Sequence, residues 1–163
     1  MGGWENFFVA EAGASAALAG LVFVSISINL QKILSFKSLP SRAIEALGVL
    51  LAVLALSSLM LAPNQSATAI ALEVLAVGLA AWTMVLIIIV RSIPDLKPQW
   101  AGAFALRIVM GQLATLPYFV AGVTVLVQGD GNYGGLYWVV PAFLASFGLA
   151  FLDAWVLLVE INR

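Results

Sequence analysis

The sequence predicts an all-α, polytopic membrane bundle of five transmembrane helices with an outer N-terminus and a cytoplasmic C-terminus. Three observations carry that prediction. Hydrophobic residues make up 63% of the 163-residue chain and charged residues only 9%, against about 25% charged in a soluble domain, and the mean hydropathy is +1.10. Apolar stretches of the roughly 20 residues that a span requires recur at 7–30, 43–62, 67–90, 103–127 and 136–160. Laid out as five spans, the chain keeps its basic residues on one side.

Span one opens after Met1 to Glu5, which has no basic stretch, so it reads as an uncleaved helix and not as a signal peptide. Pro40 and Ser41 introduce span two, and Pro63 with Asn64 closes it. A competing layout of four spans would lay 43–62 along the membrane surface, and it would put all later charges on the wrong side. Span three carries Glu73 about two turns from its start, and Pro94 and Pro98 break the connection to span four. Span four contains Arg107 and Pro117; the latter removes a helix bond to the Leu113 carbonyl and is a candidate hinge. The turn-rich run Gln128 to Gly135 leads into span five, where Ser146, Asp153 and Glu160 recur every seven residues on one face.

Orientation follows from the basic residues. Lys32, Lys37 and Arg42 belong to the first connection, Arg91 and Lys97 to the third, Arg107 to the adjoining start of span four, and Arg163 to the C-terminus. Cytoplasmic retention of Lys and Arg then places the N-terminus and Asp130 outside. Trp4, Phe7, Tyr133, Tyr137 and Trp138 mark the outer interface and Trp100 the inner one. No connection is long enough for a soluble catalytic or binding domain, so the first partner is the lipid bilayer, and any chemistry lies within it or at its surface.

Several function classes are excluded or disfavoured. The chain has no cysteine and no histidine, which rules out disulfides, thiol catalysis and imidazole metal sites. It has no phosphate-binding glycine motif, metal-ligand cluster or nucleophile–base arrangement, so it reads as a non-enzyme without cofactor or metal. A net charge of -1 without a basic stripe argues against nucleic acid.

What remains is the intramembrane polar residues. Glu11, Ser15, Leu18, Val22, Ser25 and Asn29 follow one another at spacings of three and four, so they form one seam of span one. Around a shared axis, that seam would line a narrow pore with an acidic mouth, a Leu18–Val22 constriction and an Asn29 ring. The serines alone are equally explained by bonds to carbonyls one turn back or across a helix interface. Glu11 and Glu73 lie at similar depth in the outer half, where there is no Lys or Arg, and form a candidate proton or cation pair. Arg107 and Asp153 lie nearly equidistant from the loop of one hairpin and are expected to form a structural ion pair. Ala12, Ala16 and Gly20, with Gly13 and Ala17 alongside, predict close helix neighbours for span one.

The run Trp4-Glu-Asn-Phe-Phe-Val-Ala-Glu11, followed by Gly13 to Asn29, resembles a group of short bacterial multi-pass membrane proteins of unassigned function, some labelled as modulators of a membrane protease. The resemblance implies a bacterial inner-membrane location and brings no catalytic residues. Two functional expectations result. One is a homo-oligomeric channel or small-ion (cation or proton) pathway lined by span one; the other is a non-catalytic accessory protein packed against a protease or another membrane complex.

Overall fold

The computed structural model describes residues 3–36, 39–95, 98–129 and 132–158, and the chain within them is helical throughout its ordered elements. These are α1 (Glu5–Ile28), α2 (Leu30–Ser35), α3 (Leu39–Met60), α4 (Ala67–Ser92), α5 (Ala101–Gln128) and α6 (Val139–Leu158), the last entered through a 3-10 segment, Gly134–Trp138. Five segments are long and apolar enough to cross a membrane: α1, α3, α4, α5 and Gly134–Leu158. The protein is thus a multi-pass helical membrane protein. Met1, Lys37, Lys97, Asp130, Glu160 and Arg163 lie outside the described residues.

Four of the helices form a ring. α3 packs on α4, α4 on α5, α5 on α6, and α6 closes back on α3, while α1 lies over α3 with a smaller contact on α6. The ring makes α3 the central helix: 56% of its most apolar stretch is buried, against 17% for α1. The surface-lying alternative for 43–62 is therefore not adopted. Because successive spans are antiparallel, Arg42, Arg91 and Arg107 share one end of the bundle, called here the basic end, and Glu11, Glu73 and Gly134–Trp138 lie towards the far end.

The ends follow local chemistry. Asn64 takes a left-handed φ of 58° in the turn after α3, and Ser66 caps α4 by accepting a bond from the Ala69 N–H at 3.2 Å. α5 stops at Gly129, whose φ of 71° lets its N–H reach the Val125 carbonyl at 3.1 Å. Two boundaries differ from expectation. α3 starts at Leu39 rather than Ala43, because proline is tolerated in a first helical turn, where its missing N–H is not needed. That extra turn brings Arg42 out of the predicted connection and into the helix. The first connection also contains a short helix, α2, separated from α1 by a break at Asn29.

Packing differs between the two ends. Towards the far end, Phe8, Tyr118 and Phe143 are fully buried, and their rings meet each other and those of Trp4 and Phe7. Tyr137 reaches Trp4 from the 3-10 segment at 4.9 Å between ring centres. α4 and α5 approach closely at Gly78, where an added Cβ would lie 2.6 Å from Tyr118 Cβ, and at Gly122, where it would lie 2.5 Å from Leu75 Cγ. Such contacts supply helix association in lipid, where burial of apolar side chains gives little driving force.

Candidate functional site

The basic end of the ring gathers four charged side chains from three helices. Arg42 and Glu45 come from α3, Arg107 from α5 and Asp153 from α6. At 1.5 Å per residue, Arg42 lies about 5 Å and the other three about 8 to 9 Å along their helices from the basic end. Glu45, Arg107 and Asp153 are buried, while the Arg42 side chain keeps 27% of its surface exposed.

The bonding pattern is uneven. Arg107 Nε donates to Glu45 Oε2 at 2.6 Å; Arg107 Nη2 is in ion-pair contact with the same oxygen but has no hydrogen-bond acceptor among the described residues. Arg42 Nη1 donates to Asp153 Oδ1 at 3.4 Å. The second oxygens, Glu45 Oε1 and Asp153 Oδ2, are buried and have no hydrogen-bond donor among the described residues. Asp153 lies within the electrostatic influence of Glu45 and of both arginines. The expected Arg107–Asp153 bridge is accordingly replaced by two bridges that cross between helices. The reason is topological: the ring sets α3 against α6, so Arg42 reaches Asp153 while Glu45 engages Arg107.

The seam of span one has a different setting. Ser15 is fully buried and Val22 nearly so, with Leu18 partly buried beside them. Leu18 and Val22 share a core cluster with Ala46, Val49 and Leu50 of α3 and with Leu149 of α6. The polar members turn back on their own helix: Ser15 donates to the Ala12 carbonyl at 3.1 Å, Ser25 to Leu21 at 2.7 Å, and Asn29 Nδ2 to Ser25 at 3.3 Å. In the single chain this seam faces the bundle's own interior. The opposite face of α1 is open, and a Cβ added at Gly13 or Gly20 would meet nothing within 4 Å. The close neighbours expected for the small residues are thus not supplied by this chain.

The far-end acids are not brought together as a pair. α1 has no substantial packing on α4. Glu73 is held by Gln65, whose Nε2 lies 2.8 Å from both carboxylate oxygens, while Glu11 is partly buried with its Oε2 unbonded. A cleft of about 560 Å³ opens nearby, between Glu5, Asn6 and Val9 of α1 and the Met60–Gln65 turn. Pro117 sits inside an unbroken α5; two residues earlier, Thr115 Oγ1 donates to the Gly111 carbonyl at 2.8 Å. Trp82 Nε1 donates to Gln112 Oε1 at 3.2 Å, tying α4 to α5.

No protein-family model, curated protein or solved structure matches the chain. The site therefore rests on its own geometry. Sequence reasoning missed Glu45 and the role of Arg42. The available signal was a carboxylate at the third residue of the span predicted at 43–62, flanked by apolar residues.

Proposed function

We propose that the protein is a small-ion pathway of the bacterial inner membrane, with its ion site at the cluster of Arg42, Glu45, Arg107 and Asp153 and with the basic end in the cytoplasm. The observation that carries this is the pair of orphaned oxygens, Glu45 Oε1 and Asp153 Oδ2. Two guanidinium groups offer ten N–H donors between them, enough to saturate two carboxylates. Arg107 Nη2 is also buried without a hydrogen bond; a purely structural set of bridges gains nothing by leaving one donor and two acceptors unfilled, and unpaired buried polar groups are costly. Further polar groups continue through the interior: Ser146, two turns from Asp153 on α6, and the buried hydroxyls of Tyr118 and Ser57, neither of which meets the geometry of a hydrogen bond to any of the described residues. Ser57 is three residues from Met60, which lines the far-end cleft.

Flux in liposomes under an imposed proton or cation gradient tests the proposal. Glu45→Gln and Asp153→Asn are each expected to lower flux at least about tenfold, the loss that 1.4 kcal/mol of altered ion binding produces, while Ser25→Ala leaves it unchanged. Wild-type flux in both acid variants would remove the cluster from the mechanism.

A second reading has its own observation. The open face of α1, with Gly13 and Gly20 unobstructed, suits a helix that docks on another membrane protein, as expected of an accessory subunit. Native mass spectrometry tests this second reading: a single copy held to a different protein favours the accessory role, and a homo-oligomer or a free monomer counts against it.

A further inference from the structure

We infer that the far-end cleft is a binding site for a primary ammonium group carried on an apolar stem, a site separate from the charge cluster. The cleft encloses about 560 Å³ between the start of α1 and the turn that follows α3. That volume is in the range of small-molecule sites and far larger than a bare ion needs. Met60 on its wall and Glu45 in the cluster both belong to α3, and they lie about 22 Å apart along that helix.

The lining combines acceptors with apolar surface. Glu5 contributes a carboxylate and Asn64 and Gln65 contribute carboxamides, while Val9 and Met60 supply hydrocarbon. Gln65 decides what the site lacks. Its Nε2 lies 2.8 Å from both Glu73 carboxylate oxygens, which fixes the orientation of the amide and turns Oε1 away from Glu73. That oxygen is buried and has no donor among the described residues, so the missing group is a donor. The charge balance agrees. No Lys or Arg is among the described residues that line the cleft, and Arg42, Arg91 and Arg107 lie towards the opposite end of the bundle. The carbonyl end of α3 opens here and adds partial negative charge, whereas the positive end of α1 is offset by Glu5 in its first turn.

Other ligands fit less well. An anion would meet Glu5 and no basic partner. Hard metal cations take several oxygen ligands, yet among the described residues no three acidic side chains converge. A quaternary ammonium has no N–H for Gln65 Oε1, and Tyr133 is the single aromatic residue among those described on the lining, short of the ring cage that holds such a group. A primary ammonium brings three donors and a positive charge. At this end the rings of Trp4 and Tyr137 meet at 4.9 Å, the aromatic signature of a membrane interface, so the cleft lies at headgroup depth and is reached from lipid as well as from water. An ethanolamine headgroup and a soluble alkylamine share the required chemistry.

Two measurements on the full protein in mixed micelles test this. Native mass spectrometry compares retained phosphatidylethanolamine with phosphatidylcholine, and titration calorimetry compares n-butylamine with n-butanol and tetramethylammonium. The expected result is at least about tenfold preference for the primary amine in one or both comparisons, weakened at least about tenfold by Glu5→Gln and by Gln65→Met. Glu11→Gln, whose carboxyl is not on the lining, should leave the preference unchanged. Gln65→Met also takes the donor from Glu73, so Glu5→Gln, at an exposed position, is the variant that keeps the fold and carries the test. Lipid preference without butylamine binding identifies the headgroup as the source, and butylamine binding without lipid preference identifies a soluble amine; either upholds the site. Equal retention of both lipids together with no butylamine binding, or full preference in both Glu5→Gln and Gln65→Met, overturns it.

Discussion

Replacing Arg107 by methionine removes the only bonded donor that Glu45 has among the described residues, and the structure fixes how large the effect must be. The side chains of the pair are 9% and 0% exposed, so solvent screening offers little relief. Removing one partner from a buried ion pair costs about 3–5 kcal/mol, whereas replacing both partners by apolar residues of similar volume is often neutral or stabilising. Arg107→Met is therefore expected to lower stability by about 3–5 kcal/mol, a large part of the roughly 5–15 kcal/mol that holds a domain together. Adding Glu45→Leu is expected to recover most of that loss, and adding Asp153→Leu to recover little. Reversible unfolding in mixed micelles, followed by circular dichroism and tryptophan fluorescence, gives the four free energies of each double-mutant cycle. The expected coupling exceeds about 1.5 kcal/mol for Arg107 with Glu45 and is smaller for Arg107 with Asp153. A larger coupling to Asp153, or rescue of Arg107→Met by Asp153→Leu alone, would refute the crossed pairing and restore the simple hairpin bridge.

Gly122→Val should destabilise the α4–α5 contact by about 1–3 kcal/mol through overpacking, since its Cβ would lie 2.5 Å from Leu75 Cγ and 3.1 Å from the Ala71 carbonyl oxygen; the same unfolding assay reads it, and an unchanged midpoint would contradict that close approach. Ser15→Ala and Ser25→Ala each remove a bond to a carbonyl of their own helix, so each should cost less than about 1 kcal/mol and leave liposome flux intact; a large flux change would return the span-one seam to the pathway. In detergent, amide hydrogens of α1 should exchange faster than those of α3, whose apolar stretch is far more buried; mass spectrometry of exchanged peptides checks this, and equal protection would contradict it.

The spans were legible in the sequence because bilayer thickness imposes a length that apolar runs display directly. The predicted start of span three at 67 is also the start of α4, and the other ends that fall within the described residues moved by at most about a turn. The charge partners were not legible, since pairing depends on which helices become neighbours. Chain proximity pointed Arg107 at Asp153 across one hairpin, but closure of the ring puts α3 against α6 and introduces Arg42 and Glu45. The span-one seam was correctly seen as one face of a helix. Its direction was not encoded in the spacing, because a serine that bonds to its own helix suits a protein interior as well as a pore.

That difference in bonding separates the helices into two groups. In α3, α5 and α6 the polar groups of the cluster depend on one another, so moving any of these helices exposes a charge to lipid. In α1, Ser15, Ser25 and Asn29 are satisfied within the helix itself, and withdrawal from α3 would strand none of these three side chains. The ring is consequently tied together by electrostatics and close glycine contacts, whereas α1 is held mainly by apolar packing along Phe8, Leu18 and Val22. A partner helix competing for α1 has only that packing to match. Glu45 and Asp153 sit on α3 and α6, the two helices over which α1 lies, so the charge cluster and the packing of α1 share one contact.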